Sequence, residues 1–225
     1  MSEWWTYRPS DFLMFSARSY YRLFELHNTG LWPAHLLTVG LGLALWVALL
    51  RRRSWAPRAA CLLFGVAWLW VAWAFHWQRF ASINWAATWF AAAFVVEGLL
   101  LLAFGVFGAS EPGPVQQGRA RAVGLGLWLT ALLLHPALAA IVGRPWRQAE
   151  IFGLAPDATV LATLGLLLFL LPSRRSRWLL WPLWLVPLLW CAVSGLTLAT
   201  MGAPEAWLMP AAALLAAVVA TLRRD

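Results

Sequence analysis

The chain has 225 residues, of which 62% are hydrophobic and 12% charged, with a mean hydropathy of +0.70. Soluble domains carry about 25% charged residues, so a soluble fold is excluded, and 18 tryptophans suit the headgroup level, where the indole is apolar and its N–H stays wet. The net charge of +8 does not point to nucleic acid, because the arginines gather in short links between apolar runs, where they orient membrane helices.

All 17 basic residues are arginine, which excludes a retinal Schiff base, since that needs a lysine amine. Cys61 and Cys191 lie inside apolar runs and offer neither a disulfide framework nor a CxxC site. The first thirty residues lack the pattern of a cleaved signal peptide, so the first span is expected to act as its own insertion signal.

The first predicted element is an interfacial helix in "SARSYYRLFELHNTG", within an N-terminal segment 1–30. Tyr20, Leu23, Phe24 and His27 fall on one face at helical spacing, opposite Arg18, Arg22 and Glu25. Gly30 is expected to stop this helix and Pro33 to open the next. Residues 31–225 then form a transmembrane domain of seven apolar runs, because a bilayer core needs roughly 20 apolar residues as helix. The runs are Leu31 to Leu50, Ala59 to Gln78, Trp85 to Gly108, Ala122 to Gly143, Asp157 to Leu171, Trp178 to Thr200 and Ala206 to Leu222. The fifth is short and is expected to stand upright or thin the bilayer. Ala109 to Arg121 reads as a flexible cytoplasmic linker.

Alternate links differ in arginine content. One set holds Arg51, Arg52, Arg53, Arg58, Arg119, Arg121, Arg174, Arg175, Arg177, Arg223 and Arg224; the other, leaving aside the N-terminal segment, holds only Arg79, Arg144 and Arg147. The bias predicts the N-terminus outside and the C-terminus in the cytoplasm. The expected class is therefore an all-α integral membrane protein with seven transmembrane helices preceded by an interfacial amphipathic helix.

Candidate ligand-binding residues follow from ionisable groups inside or beside these runs. Glu97 lies twelve residues beyond Trp85, about 18 Å down a helix and near the bilayer midplane. A charged carboxylate there costs roughly 2.5 to 3.5 kcal/mol, so it must face protein or water. His135 lies eight residues from the outer end of the fourth run, and consecutive spans are usually neighbours, so Glu97 and His135 could share a proton or a ligand. His35, His76 and Arg79 complete an outward-facing polar region; the alternatives are a headgroup-bound Arg79 and histidines satisfied locally. Asp157 after Pro156 reads as a helix-capping carboxylate. No phosphate loop, HExxH, GxSxG or dinucleotide fingerprint is present, and no catalytic residue, metal site or cofactor is assigned.

Three stretches, "EWWTYRPSDFLMFSARSYYRLFELHN", "WLWVAWAFHWQRFASINW" and "FGLAP" at Phe152 to Pro156, are similar to a family of small bacterial multi-pass membrane proteins known as domain of unknown function 6064. The resemblance implies a polytopic inner-membrane protein, sometimes labelled permease-like, with no catalytic residues to carry over. Relatives continue "FGLAP" with a Cys-Pro pair where this chain has Asp157 and Ala158, so no cysteine-dependent role follows. The expected partners are the lipid bilayer, a small solute or ion, and a homo-oligomer or larger membrane complex, with no nucleic acid. A permease-like transporter leads; the alternatives are a structural or accessory subunit and a haem or quinone redox subunit.

Overall fold

A computed structural model describes residues 13–108, 118–170 and 181–222. Most of the predicted linker Ala109 to Arg121 lies outside them, as do Arg174, Arg175, Arg177, Arg223 and Arg224. The described residues are helical, joined by short turns, and contain no strand.

Helix α1, Ala17–Leu31, opens where Ser16 Oγ accepts the backbone N–H of Ser19 at 3.1 Å, a side-chain cap. Its buried residues are Tyr20, Leu23, Phe24, His27 and Asn28, so the predicted apolar face is the buried one. Gly30 does not stop the helix; the turn comes at Trp32–Pro33, and α1 then meets α2, Ala34–Leu50, at 89°. Proline supplies no backbone N–H, which makes this the natural break. Tyr20, Leu23 and Phe24 join the same hydrophobic core as the later helices, so α1 is packed on protein and not only on lipid.

Helix α3, Ala56–Trp70, runs on as a wide π-type stretch, Val71–Trp77, and α4 spans Ala87–Ala103 with a similar turn over Phe104–Gly108. Helix α5, Arg119–Leu129, passes through a third wide stretch, Thr130–Leu134, into α6, His135–Ile141. Pro136 accounts for the third, because it cannot donate to the Leu132 carbonyl and its ring crowds that oxygen, and the widened turn makes room. The chain ends in α7, Pro156–Leu170, α8, Pro182–Thr200, and α9, Leu208–Thr221.

Four helical stretches are long and apolar enough to cross a membrane: Ala56–Ser82, Ala87–Gly108, Arg119–Ile141 and Pro182–Thr200. A fifth results if α1 and α2 count as one bent span. Helices α7 and α9 are apolar but only 15 and 14 residues long. Every residue of α7 from Pro156 to Leu168 is buried, and α3, α5, α8 and α9 surround it. A helix hydrophobic on all sides is an interior helix. Its closest crossing is with α5, where a Cβ on Gly124 would stand 2.5 Å from the Gly165 carbonyl oxygen. Small residues of this kind let helix backbones approach in membrane proteins.

Side-chain contacts gather the links into two ends. At one, Arg121 donates to the Leu49 and Leu50 carbonyls and Arg58 to those of Gly105 and Val106. At the other, α1 meets the links after α3, α6 and α8 through Phe15–Phe80, Asn28–Arg147 and Tyr21–Glu205 contacts. Exposed Trp32, Trp85, Trp146 and Trp207 ring this second end and Trp55 and Trp181 the first, as expected of aromatic belts.

Candidate functional site: a buried ionic cluster beneath α1

At the α1 end two helices stop in the same way. Gly143 has φ +78° and Gly202 φ +71°, the left-handed conformation that glycine adopts without a Cβ clash. After them, the N–H of Arg144 returns to the Ala139 carbonyl at 2.7 Å and that of Ala203 to the Leu198 carbonyl at 2.9 Å, a Schellman closure in both cases. These turns aim the following residues back over the helix ends. Arg144 and Glu205 therefore meet, Nη2 to Oε1 at 2.6 Å, with their side chains only 15% and 8% exposed.

Helix α1 closes over this pair. Tyr21 donates its hydroxyl to Glu205 Oε1 at 3.3 Å, and the Arg144 guanidinium carbon lies 3.9 Å from the Tyr21 ring centroid, a cation–π contact. Asn28 donates to the carbonyls of Arg147 and Ala149, and His27 Nε2 bonds the Leu154 carbonyl, so α1 also grips the loop between α6 and α7. That loop carries Glu150, which is buried. Burial pushes the Glu150 carboxyl well above the usual carboxylate range, and the Asp157 charge beside it pushes the same way.

Asp157 does not act as the predicted helix cap. Its Oδ1 accepts Trp190 Nε1 at 2.7 Å and its Oδ2 accepts Ser194 Oγ at 2.5 Å, both from α8. His135, Arg144, Glu150, Asp157 and Glu205 together line a cavity of about 10 Å³. Several polar atoms at this cavity have no partner among the described residues: His135 Nδ1, Arg144 Nε and Nη1, Glu150 Oε2 and Glu205 Oε2. No group of three or more His, Cys, Asp or Glu among the described residues is arranged to hold a metal ion.

The five predicted residues do not form one site. His135 lies in the cluster. His76 is fully buried in an aromatic box, 4.4 Å from the Phe94 ring and 4.9 Å from that of Trp190, with neither nitrogen hydrogen-bonded. It therefore touches the tryptophan that holds Asp157, but has no polar bond to the cluster. His35 bonds Asn28 at 3.2 Å and so supports the α1 grip. Arg79 is half-buried beside Gly30, at the edge of α1. Glu97 is fully buried next to the Gly65–Gly98 crossing of α3 and α4, and neither of its oxygens has a partner. It is thus not hydrogen-bonded to His135. Sequence reasoning assigned Arg144 and Arg147 to link charge and left Glu150 and Glu205 unmentioned. The available signal was that Arg144 is a cation in the arginine-poor set of links, just past a helix-ending glycine.

Long apolar helices around a wholly interior one define a multi-pass, all-α membrane protein with ionisable groups sealed at one end. The chain belongs to the family of unknown function DUF6064, whose profile matches residues 17–225. No curated protein and no solved structure matches it.

Proposed function

We propose that the protein is a permease-like transporter of the bacterial cytoplasmic membrane, in which the Arg144–Glu205 cluster binds a proton or small polar solute in transit. Seven helical segments cross the bilayer, α2, α3, α4, α5 with α6, α7, α8 and α9, with the N-terminus outside and the C-terminus in the cytoplasm. The arginine bias of the links supports this orientation: leaving aside α1, which carries Arg18 and Arg22, the described Arg51, Arg52, Arg53, Arg58, Arg119 and Arg121 lie at or beside one end, against Arg79, Arg144 and Arg147 towards the other.

The observation that carries the transport reading is the cluster itself. Three carboxyl groups, a guanidinium and an imidazole are gathered around one small cavity, with bonding capacity unused. Burying ions costs several kcal/mol each even after relaxation. A purely structural contact would be met at lower cost by apolar packing, whereas ionisable groups inside membrane proteins mark substrate and proton pathways. The test is reconstitution into liposomes that enclose a pH-sensitive dye, with a potassium diffusion potential as driving force. Wild-type protein is expected to pass protons, and Glu205→Gln and Asp157→Asn to abolish the flux while retaining native elution in detergent. Wild-type flux equal to that of empty liposomes overturns the transport reading in favour of an accessory subunit.

A further inference from the structure

The unused hydrogen bonds around the cavity specify what it holds. Glu150 Oε2 and Glu205 Oε2 are acceptors when ionised, Arg144 Nε and Nη1 are donors, and His135 Nδ1 is either, according to tautomer. All five atoms are buried and belong to residues lining one cavity. Its volume of about 10 Å³ is close to the least that holds a single water, and it is too small for an organic solute. A water both donates and accepts, so one molecule can answer carboxylates on one side and the guanidinium on the other.

Charge balance adds a proton. Arg144 neutralises Glu205 across 2.6 Å, and Asp157 accepts hydrogen bonds from two α8 donors, which favour its ionised form. Glu150 has neither a salt-bridged cation of its own nor a partner for Oε2, and a third anion here, with one cation among them, would be costly. The other titratable groups facing it are Tyr20 and Tyr21 from α1 and His135 from α6, while Cys191 from α8 faces Asp157.

We propose that the cavity binds one water between Glu150, Glu205, Arg144 and His135, and that Glu150 and this water carry an exchangeable proton. In the transfer step the Glu150 O–H bond breaks as its proton joins the water, and the water passes one of its own protons to Glu205 Oε2. The excess proton thus moves from Glu150 to Glu205, and no electron changes hands. Glu205 becomes neutral and its hold on Arg144 and Tyr21 weakens, which couples proton arrival to the grip of α1. This rests on the transport reading for its purpose and narrows the transported species to the proton.

The test is infrared difference spectroscopy of the protein in lipid nanodiscs, on a Glu97→Gln background so that this buried carboxyl outside the cluster does not contribute. At about pH 7, where ordinary carboxylates are ionised, a protonated carboxyl C=O band is expected, shifting in D2O and lost on adding Glu150→Gln. A water O–H band sensitive to ¹⁸O-labelled water is expected in the spectrum between neutral and alkaline pH; it needs no Glu150 variant. Absence of the carboxyl band, its persistence in Glu150→Gln, or absence of an ¹⁸O-sensitive band overturns the proposal. If both bands behave as expected while liposomes pass no protons, this proposal is supported and only the transport reading fails.

Discussion

Replacing Arg144 by alanine removes the only cation hydrogen-bonded within the cluster. Glu205 then keeps a single bond, from the Tyr21 hydroxyl at 3.3 Å, and its second oxygen has no partner. Breaking a buried ion pair from one side costs about 3 to 5 kcal/mol, and the lost contact with the Tyr21 ring adds about 0.5 to 2 kcal/mol. An abandoned carboxylate can escape by taking up a proton, at a cost of about 1.4 kcal/mol for each pH unit above the usual carboxylate range. The penalty is therefore expected near 4 kcal/mol at neutral pH and should shrink as the solution is acidified. Arg144→Met with Glu205→Leu removes both charges and should recover most of the loss, since buried pairs exchange for apolar groups of similar volume at little cost. Equilibrium unfolding in mixed micelles with rising dodecyl sulfate content gives the double-mutant cycle. A penalty under about 1 kcal/mol is that of an exposed pair and would refute the reasoning. A double variant no more stable than Arg144→Ala would refute it too.

Glu150→Gln tests linkage in the other direction. A carboxyl raised from its usual 4.5 by burial contributes stability that is complete below that value and is lost as pH rises through the folded-state value. The wild-type unfolding midpoint should fall as pH is raised above the ordinary carboxylate range, and the Gln variant should show a flatter profile in the same micelle assay. Gly124→Ala places a methyl 2.5 Å from the Gly165 carbonyl oxygen, so α5 and α7 must separate; a loss of about 1 to 3 kcal/mol is expected, with Gly126→Ala, whose added Cβ meets nothing within 4 Å, as the neutral control. Asn28→Ala removes both donors to the Arg147 and Ala149 carbonyls. Hydrogen exchange should then quicken in α1 and in residues 146–155 while α7 stays protected; uniform quickening would mean that α1 is not a separable cover.

The membrane class was legible because it rests on totals: few charges, long apolar runs and a Tyr20–Phe24–His27 stripe whose buried face the structure repeats. The interior place of α7 was not, since periodicity reports one-sided burial and a helix covered on every side has none to report. The cluster was missed for a different reason. Arg144, Glu150 and Glu205 lie in links, where charge usually means solvent, and only the left-handed turns at Gly143 and Gly202 direct the chain back inward. Sequence spacing along one helix gives depth, as it did for Glu97, but it does not say which helix lies opposite. That pairing comes from the Gly65–Gly98 and Gly124–Gly165 crossings, which fix neighbours across the bundle.

Depth and function are thus separable for buried ionisable groups. Glu97 and His76 are the more deeply enclosed, yet each stands among apolar neighbours with no polar atom to exchange a proton with. A group in that position avoids the larger cost of a buried charge by staying neutral, though its unmet hydrogen bonds still cost free energy. The five residues beneath α1 cannot all be neutral together: a guanidinium stays charged, so at least one anion must accompany it, and the remaining groups share whatever protons are left. Such a set has several protonation states of similar energy, which a lone buried acid lacks. With Tyr21 of α1 bonded to one member of the set, a change of protonation state alters what holds the cover in place. On the proposed transport reading, the chemical basis for gating lies at the α1 end of the bundle.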